Sequence, residues 1–235
     1  MRLIDKEYTD HPFVGYRKMV PVLLDQGYVV NRKRVQRLMQ AMGLVAVVPG
    51  PHNRRRAVQH PIYPYLLRGV KIERVNQVWS CDITYLPMPK GFLYLFAIED
   101  WRSRAVLAWE LSTTLDTAFC LQGLERALKY GKPEIFNSDQ GCQFTSADFT
   151  GRLLQDDIRI SMDGRGRAYD NIFIERLWRS VKYEDFYLHN YETPKEVRTG
   201  LTSYFEYYNH KRHHQALGYK KPAVVHQELG GMLAP

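Results

Sequence analysis

Between Val75 and Ser112 three runs rich in β-branched and aromatic residues, VWSCDITYLPM, FLYLFAIED and AVLAWELS, follow one another with short breaks at Pro89–Gly91 and Trp101–Ser103. Breaks this short predict hairpin-linked strands, because a parallel crossover needs a dozen or more residues. The pattern then changes. DTAFCLQGLERALKY carries apolar residues at helical spacing, EIFNSD reads as a short strand, SADFTGRLLQDD as a helix, IRIS as a strand and DNIFIERLWRSVKYED as a long helix. Three antiparallel strands followed by helix, strand, helix, strand and helix make a mixed α/β layout, a five-stranded sheet flanked by helices.

Upstream, VGYRKMVPVLLDQGYVVNRKRVQRLMQAMGL predicts two short helices, from about Gly15 to Gln26 and from about Arg32 to Met42, broken at Gly27 and closed near Gly43. Asn31 is a suitable cap for the second. Val35, Leu38, Met39 and Met42 recur at helical spacing there, while Arg32, Lys33, Arg34 and Arg37 crowd its N-terminal half. That is the layout of a helix-turn-helix whose second helix could enter a major groove; a helical hairpin with no DNA role is the alternative. The charge is equally uneven. Residues 1–75 hold 14 Lys and Arg against 5 Asp and Glu, whereas the remainder holds 19 against 20. A basic segment joined to a larger neutral one suggests an element that holds a polyanion beside an element that does something else, although a solvated basic face has the same arithmetic. Four regions are expected: 1–48 helix-turn-helix, 49–74 basic linker, 75–186 core, and 187–235 C-terminal helical extension and tail. No apolar run approaches the roughly 18 residues that span a bilayer, so no membrane partner is expected. Cys81, Cys120 and Cys142 are odd in number and never paired as CxxC, which supports neither a disulfide framework nor a thiolate zinc site and points to a cytoplasmic setting.

Three acids stand out by position. Asp82 lies inside the first strand, where an unpartnered buried charge costs several kcal/mol. Asp139 follows EIFNS, at the strand end where such sheets place their chemistry. Glu175 lies on the last long helix. At 100° per residue Asn171, Glu175, Trp178, Arg179 and Lys182 share one sector of it, and Phe173, Ile174, Leu177 and Val181 another. Three converging carboxylates repel unless a cation sits among them, and Mg²⁺ or Mn²⁺ suits oxygen ligands of this kind. Two such ions could support in-line phosphoryl transfer. The same residues also permit a plainer reading, with Asp139 shaping a turn and the acids unrelated.

Taken in order, these motifs resemble the transposases of the insertion-sequence-three family, second-reading-frame product, and more broadly the retroviral-integrase catalytic core. Asp82 in VWSCDITYLP, Asp139 in NSDQGCQFTS and Glu175 in GRAYDNIFIERLWRSVKYE match the family's Asp-Asp-Glu motif, with 35 residues between the second and third acids. Lys182, seven residues after Glu175, matches its basic position. The tail YYNHKRHHQALGYKKP resembles the closing signature, with His213 where relatives often carry proline, and the N-terminal helices resemble the family's helix-turn-helix region. The resemblance implies a ribonuclease-H-like fold and metal-dependent DNA cleavage and strand transfer by Asp82, Asp139 and Glu175 with two Mg²⁺ or Mn²⁺ ions. It implies as partners the element's terminal inverted repeats and target DNA, a homo-oligomer on DNA and the upstream-frame product, and a nucleoid-associated location. Arg179, Lys182, Asn171, Gln143, Arg165 and Arg167 are candidate DNA contacts near the acids, and Arg32, Lys33, Arg34 and Arg37 in the helix-turn-helix. Gln143 could equally be a turn residue and Asn171 a helix cap. His210–His214 reads as phosphate contacts or a solvated basic helix end. Because the chain starts only a few residues before the helix-turn-helix, a shortened, catalytically silent DNA-binding regulator is the alternative; a structure-specific nuclease on the same core is a third.

Overall fold

The computed structural model describes residues 1–46, 61–164 and 171–233. The chain divides near residue 58 into two compact units. The first holds α1 (Arg2–Asp10), α2 (Tyr16–Asp25) and α3 (Arg32–Ala41). The two predicted helices are present, with Asn31 Oδ1 accepting the Arg34 N–H at 2.8 Å to cap α3. Gly27 makes the turn between them at φ +83°, a conformation that strains other residues. Helix α1 was not expected from the sequence. It is largely polar, and Ile4 is its one fully buried residue, closing the small core of Val14, Met19, Leu23, Val35 and Met39.

The second unit is a five-stranded sheet in the order β3-β2-β1-β4-β5. Strands β1 (Val78–Pro87), β2 (Phe92–Asp100) and β3 (Val106–Ser112) form the expected antiparallel meander. Helix α4 (Ala118–Leu128) crosses to β4 (Ile135–Ser138), which lies parallel to β1; α5 (Ala147–Gln155) then leads to β5 (Arg159–Met162), parallel to β4. Alternation along β1 sorts the faces. Trp79 and Cys81 pack with Phe96, Phe136, Phe149 and Leu124 on the side of α4 and α5. Leu86, with Leu95 and Ala97 of β2, packs on the side of α6 (Ile172–Val181) and α7 (Pro194–His210). Gly123 lets α4 approach the sheet, since a Cβ there would lie 2.5 Å from the Phe96 ring.

Two stretches have more structure than their sequence suggested. Residues 61–74, read as the end of a linker, lie against the core: Leu67 is buried with Val78, Trp101 and Ile135, and the Leu66 N–H donates to Ser161 Oγ at 3.0 Å. Leu67 is the one fully buried residue of 61–74, too few to show a period. The rest of the expected linker, through residue 60, is outside the described residues. The C-terminal extension is likewise part of the fold, because Val197, Leu201, Tyr204, Phe205 and Tyr208 of α7 cover the second face of the sheet. Thr193 and Glu196 form a reciprocal capping box at its start.

The tail signature is anchored rather than free. Asn209 Oδ1 accepts the Val106 N–H and its Nδ2 donates to the Val106 carbonyl, both at 2.9 Å, sealing the exposed edge of β3. Arg212 donates to Glu184 at 2.7 Å, and Tyr204 Oη donates to the same carboxylate at 3.0 Å. Burial and the neighbouring Arg212 push His214 down to about 4, so it is neutral at physiological pH. These contacts use Arg212 and His214 structurally, in place of the phosphate contacts expected there. Helix α8 (Pro222–Glu228) is fixed through buried His226, whose Nδ1 lies 2.9 Å from Ser103 Oγ, which itself donates to Asp100 Oδ1 at 2.7 Å. All three residues are buried and the serine lies between the other two, so this grouping is a tether and not a nucleophile. Replacing Asn209 by alanine leaves both Val106 backbone groups unpaired and is expected to cost about 2–4 kcal/mol, read by urea denaturation; a loss under about 0.5 kcal/mol would show that the edge needs no seal.

Candidate active site

The last β1–β4 register pair is Ser80 with Asn137, so two residues further on Asp82, inside β1, stands level with Asp139, the residue that follows β4. Ser138 pairs with Met162, which brings Asp163 level with Asp139 at the end of β5. As an even-numbered residue of β1, Asp82 faces the side covered by α6, the helix that carries Glu175 in its first turn.

Asp82 is half-buried, and Trp178 Nε1 donates to its Oδ2 at 2.9 Å. Burial pushes its carboxyl up to about 6; hydrogen bonds from Trp178 and Ile83 oppose the rise, while the charges of Asp139 and Glu175 add to it. Asp139 presents surface to solvent but is crowded by protein atoms on its inner side, and that desolvation raises its pKa as well. Its Oδ1 accepts the Gly141 N–H at 2.8 Å, and a Cβ at Gly141 would lie 2.8 Å from that oxygen, so glycine permits the turn. Glu175 is exposed. The three acids are thus electrostatic neighbours. They do not form a closed cage: among the described residues no three His, Cys, Asp or Glu are gathered closely enough to hold a metal ion.

The other expected contacts divide. Lys182 is half-buried beside this site; burial lowers its pKa while the Asp82 charge raises it. Arg179 is exposed, its guanidinium 6.0 Å from the centre of the Tyr183 ring. Asn171 occupies the cap position of α6 but makes no capping bond; its Nδ2 donates instead to the Cys81 carbonyl at 3.4 Å. Gln143 is buried, with Nε2 donating to the Leu115 carbonyl at 3.1 Å and Oε1 accepting from the Cys142 thiol. Its side chain is thereby engaged in the turn and not presented to solvent. Arg165 and Arg167 lie outside the described residues. In the other unit Arg32, Lys33, Arg34 and Arg37 are all exposed on α3.

Sequence reasoning assigned no role to Trp178, although it stands on the Glu175 sector one turn further along, and it missed Asp163 and Asn137. Asn137 is fully buried and donates to Asp163 Oδ1 at 2.8 Å, next to Asp139. Only the strand register reveals that neighbourhood.

Known protein families match both compact units of the chain. The HTH-like domain profile matches residues 1–52, and two integrase core domain profiles match residues 72–168 and 156–222. The transposase for insertion sequence element IS629 of Shigella sonnei is 30% identical over 94% of this chain and 76% of its own length. Transposase InsF for insertion sequence IS3A of Escherichia coli K12 is 31% identical over 88% of this chain and 75% of its own. The chain belongs to the insertion-sequence-three family of transposases. Among solved structures, the HTLV-2 integrase catalytic core domain, determined in complex with magnesium, superposes with a TM-score of 0.54 at 20% identity, over 64% of this chain and 96% of that one. The ribonuclease-H-like fold is therefore shared with integrases. In this family member the first integrase-core match spans Asp82 and Asp139, and the second spans Glu175, Lys182 and the anchored tail.

Proposed function

We propose that this chain is an Asp-Asp-Glu transposase that cleaves DNA at the ends of an insertion sequence and joins the freed 3′-hydroxyl to a second DNA. The observation that carries this reading is that Asp82, in the middle of β1, stands level with Asp139 just past the end of β4 and beneath the helix that carries Glu175, where burial and the charges of both acids push the Asp82 carboxyl up to about 6. Three neighbouring carboxylates call for more positive charge than Lys182 alone supplies, and a donor set made only of carboxylate oxygens fits a hard divalent cation. Asp82, Asp139 and Glu175 would hold Mg²⁺ or Mn²⁺, two ions in all. When bound, the ions supply Lewis acidity to the attacking and leaving oxygens of an in-line displacement. In the first displacement water oxygen attacks phosphorus and the 3′-oxygen leaves as the hydroxyl; in the second that hydroxyl attacks a phosphodiester of the target and displaces its 3′-oxygen. No protein nucleophile enters either step.

The chain's own groups bind and orient. Lys182 and Arg179, on the sector of α6 that bears Glu175, would neutralise phosphates next to the scissile bond, with Arg165 and Arg167 nearby in sequence. Arg32, Lys33, Arg34 and Arg37 would hold the terminal inverted repeats, which assigns 1–48 to end recognition and 75–186 to chemistry. Pairing two ends calls for a homo-oligomer on DNA, joined by the upstream-frame product, in a cytoplasmic, nucleoid-associated setting. A second reading, a catalytically silent DNA-binding regulator, is favoured by the open arrangement of the three acids.

The test is incubation of the protein with duplexes carrying the gene's own flanking ends, with Mg²⁺ or Mn²⁺. Nicked ends and joined products that require the metal are expected. A gel shift of the ends with no cleavage under either ion would replace the enzyme with the regulator; cleavage without joining would make it a nuclease.

A further inference from the structure

Asn171, Glu175 and Trp178 stand at i, i+4 and i+7, so they form one stripe along the flank of α6. The outer two reach consecutive residues of β1: Asn171 Nδ2 donates to the Cys81 carbonyl at 3.4 Å, and Trp178 Nε1 donates to Asp82 Oδ2 at 2.9 Å. Both side chains are 7% exposed, while Glu175 between them is open to solvent. The indole is held by its packing in the apolar layer with Ile174, Leu177 and Val181. An indole has one donor and no acceptor, so it engages a single Asp82 oxygen, and the Ile83 backbone N–H also donates to the carboxylate.

We propose that Trp178 and Asn171 are positioning residues that peg α6 to β1 on both sides of Glu175, limiting how far Glu175 can move from Asp82 and fixing the Asp82 rotamer when a divalent cation draws the carboxylates together. The inference rests on the metal-site reading above and adds to it the device that limits the separation. Without the pegs the helix is attached to the strand by apolar packing alone, which resists sliding and rotation less than a directed bond does. Groups that orient a ligating carboxylate commonly contribute 10–100-fold to metal affinity. The same stripe continues to Lys182, whose charge interacts with Asp82, so a misplaced helix would also displace the cationic group nearest the site.

The experiment measures Mn²⁺ binding directly on the full chain, by electron paramagnetic resonance of the free ion, alongside thermal unfolding and circular dichroism. Trp178→Phe keeps an aromatic ring and deletes the donor; it is expected to raise the Mn²⁺ dissociation constant about tenfold or more. Trp101→Phe is the control, because Trp101 also packs on α6, at Phe173, while its Nε1 is buried with no hydrogen-bond partner among the described residues. Its affinity should stay within about twofold of the parent. Cleavage by Trp178→Phe should recover toward the parent rate as Mn²⁺ is raised, which a purely structural role would not produce. Mn²⁺ affinity within about twofold of the parent in folded Trp178→Phe overturns the proposal. Should that variant not fold, Asn171→Ala decides, with an expected loss of about threefold and an unchanged affinity overturning it. Asp82→Asn separates the two levels: if it binds Mn²⁺ as the parent does, the metal-site reading falls and the pegs with it, whereas loss of binding in Asp82→Asn with none in Trp178→Phe sinks the pegs alone.

Discussion

Asp82→Asn is expected to lower end cleavage and joining on the order of 10³-fold, to leave DNA affinity within about twofold, and to make the metal-free protein more stable at neutral pH. The activity loss follows from removing a charged ligand while keeping its shape. The stability gain follows from the folded-state pKa. Asp82 is raised from 3.8 to about 6, so between those values the folded chain keeps a proton that the unfolded chain has released. Stability therefore falls as pH rises from about 4 to 6 and stays lost above it. Two pKa units correspond to about 3 kcal/mol before screening; for a half-buried group about 1 kcal/mol is the reasonable share. In a unit of this size that is about 2–4 °C in Tm, gained in the variant at pH 7.5 and absent below pH 4. Asparagine can still accept from Trp178, so packing is retained. Asp139→Asn and Glu175→Gln should lose activity to the same extent. Full cleavage by any of the three would remove that residue from the site, and an equal Tm for Asp82→Asn and the parent at pH 7.5 would show that the carboxylate has its counter-charge without metal.

Changing Arg32, Lys33, Arg34 and Arg37 together to alanine is expected to weaken binding to the element ends by roughly 10²–10³-fold at physiological salt. The slope of log K against log salt should become shallower by up to about 3.6, four phosphates at about 0.9 each. The helix itself should persist, because the α3 cap runs from Asn31 to the backbone N–H of residue 34 and alanine has the highest helix propensity. Fluorescence anisotropy titrations across a salt series read both quantities. An unchanged slope would place the phosphate contacts elsewhere and leave the exposed basic face of α3 as a solvated surface.

The layout of the core was legible because each element carries its own local signature. The meander could be read from runs rich in β-branched and aromatic residues with breaks too short for anything but hairpins, and α4 and α5 from apolar residues at helical spacing. The apolar face of α6 was read nearly in full: Ile174, Leu177 and Val181 are buried as expected, and Phe173 packs at the edge on Trp101. Two segments were not legible. Helix α1 has one fully buried residue, and the 61–74 stretch packs mainly through Leu67, so neither repeats long enough to show a period.

The candidate site divides along the same line. Charge in an apolar strand, an acid at a strand end and an acid on a helix sector are local facts, and residue order alone was enough to single out Asp82, Asp139 and Glu175. Which other groups stand among them is a matter of register and packing, because neighbours across a parallel sheet are separated by a whole crossover. Thus Asp163 comes level with Asp139, Gln143 turns inward to Leu115, Asn171 leaves its cap role for the Cys81 carbonyl, and Trp178 reaches Asp82 across 96 positions of chain. The tail was decided in the same way. His214 and Arg212 read as cations for phosphate, but burial against Tyr208 and the Glu184 carboxylate makes one neutral and pairs the other. The sequence by itself determined the elements and the acids, since propensity, period and spacing act within a few residues; the tertiary structure decided partners and protonation, since desolvation and hydrogen bonding depend on what distant segments bring alongside.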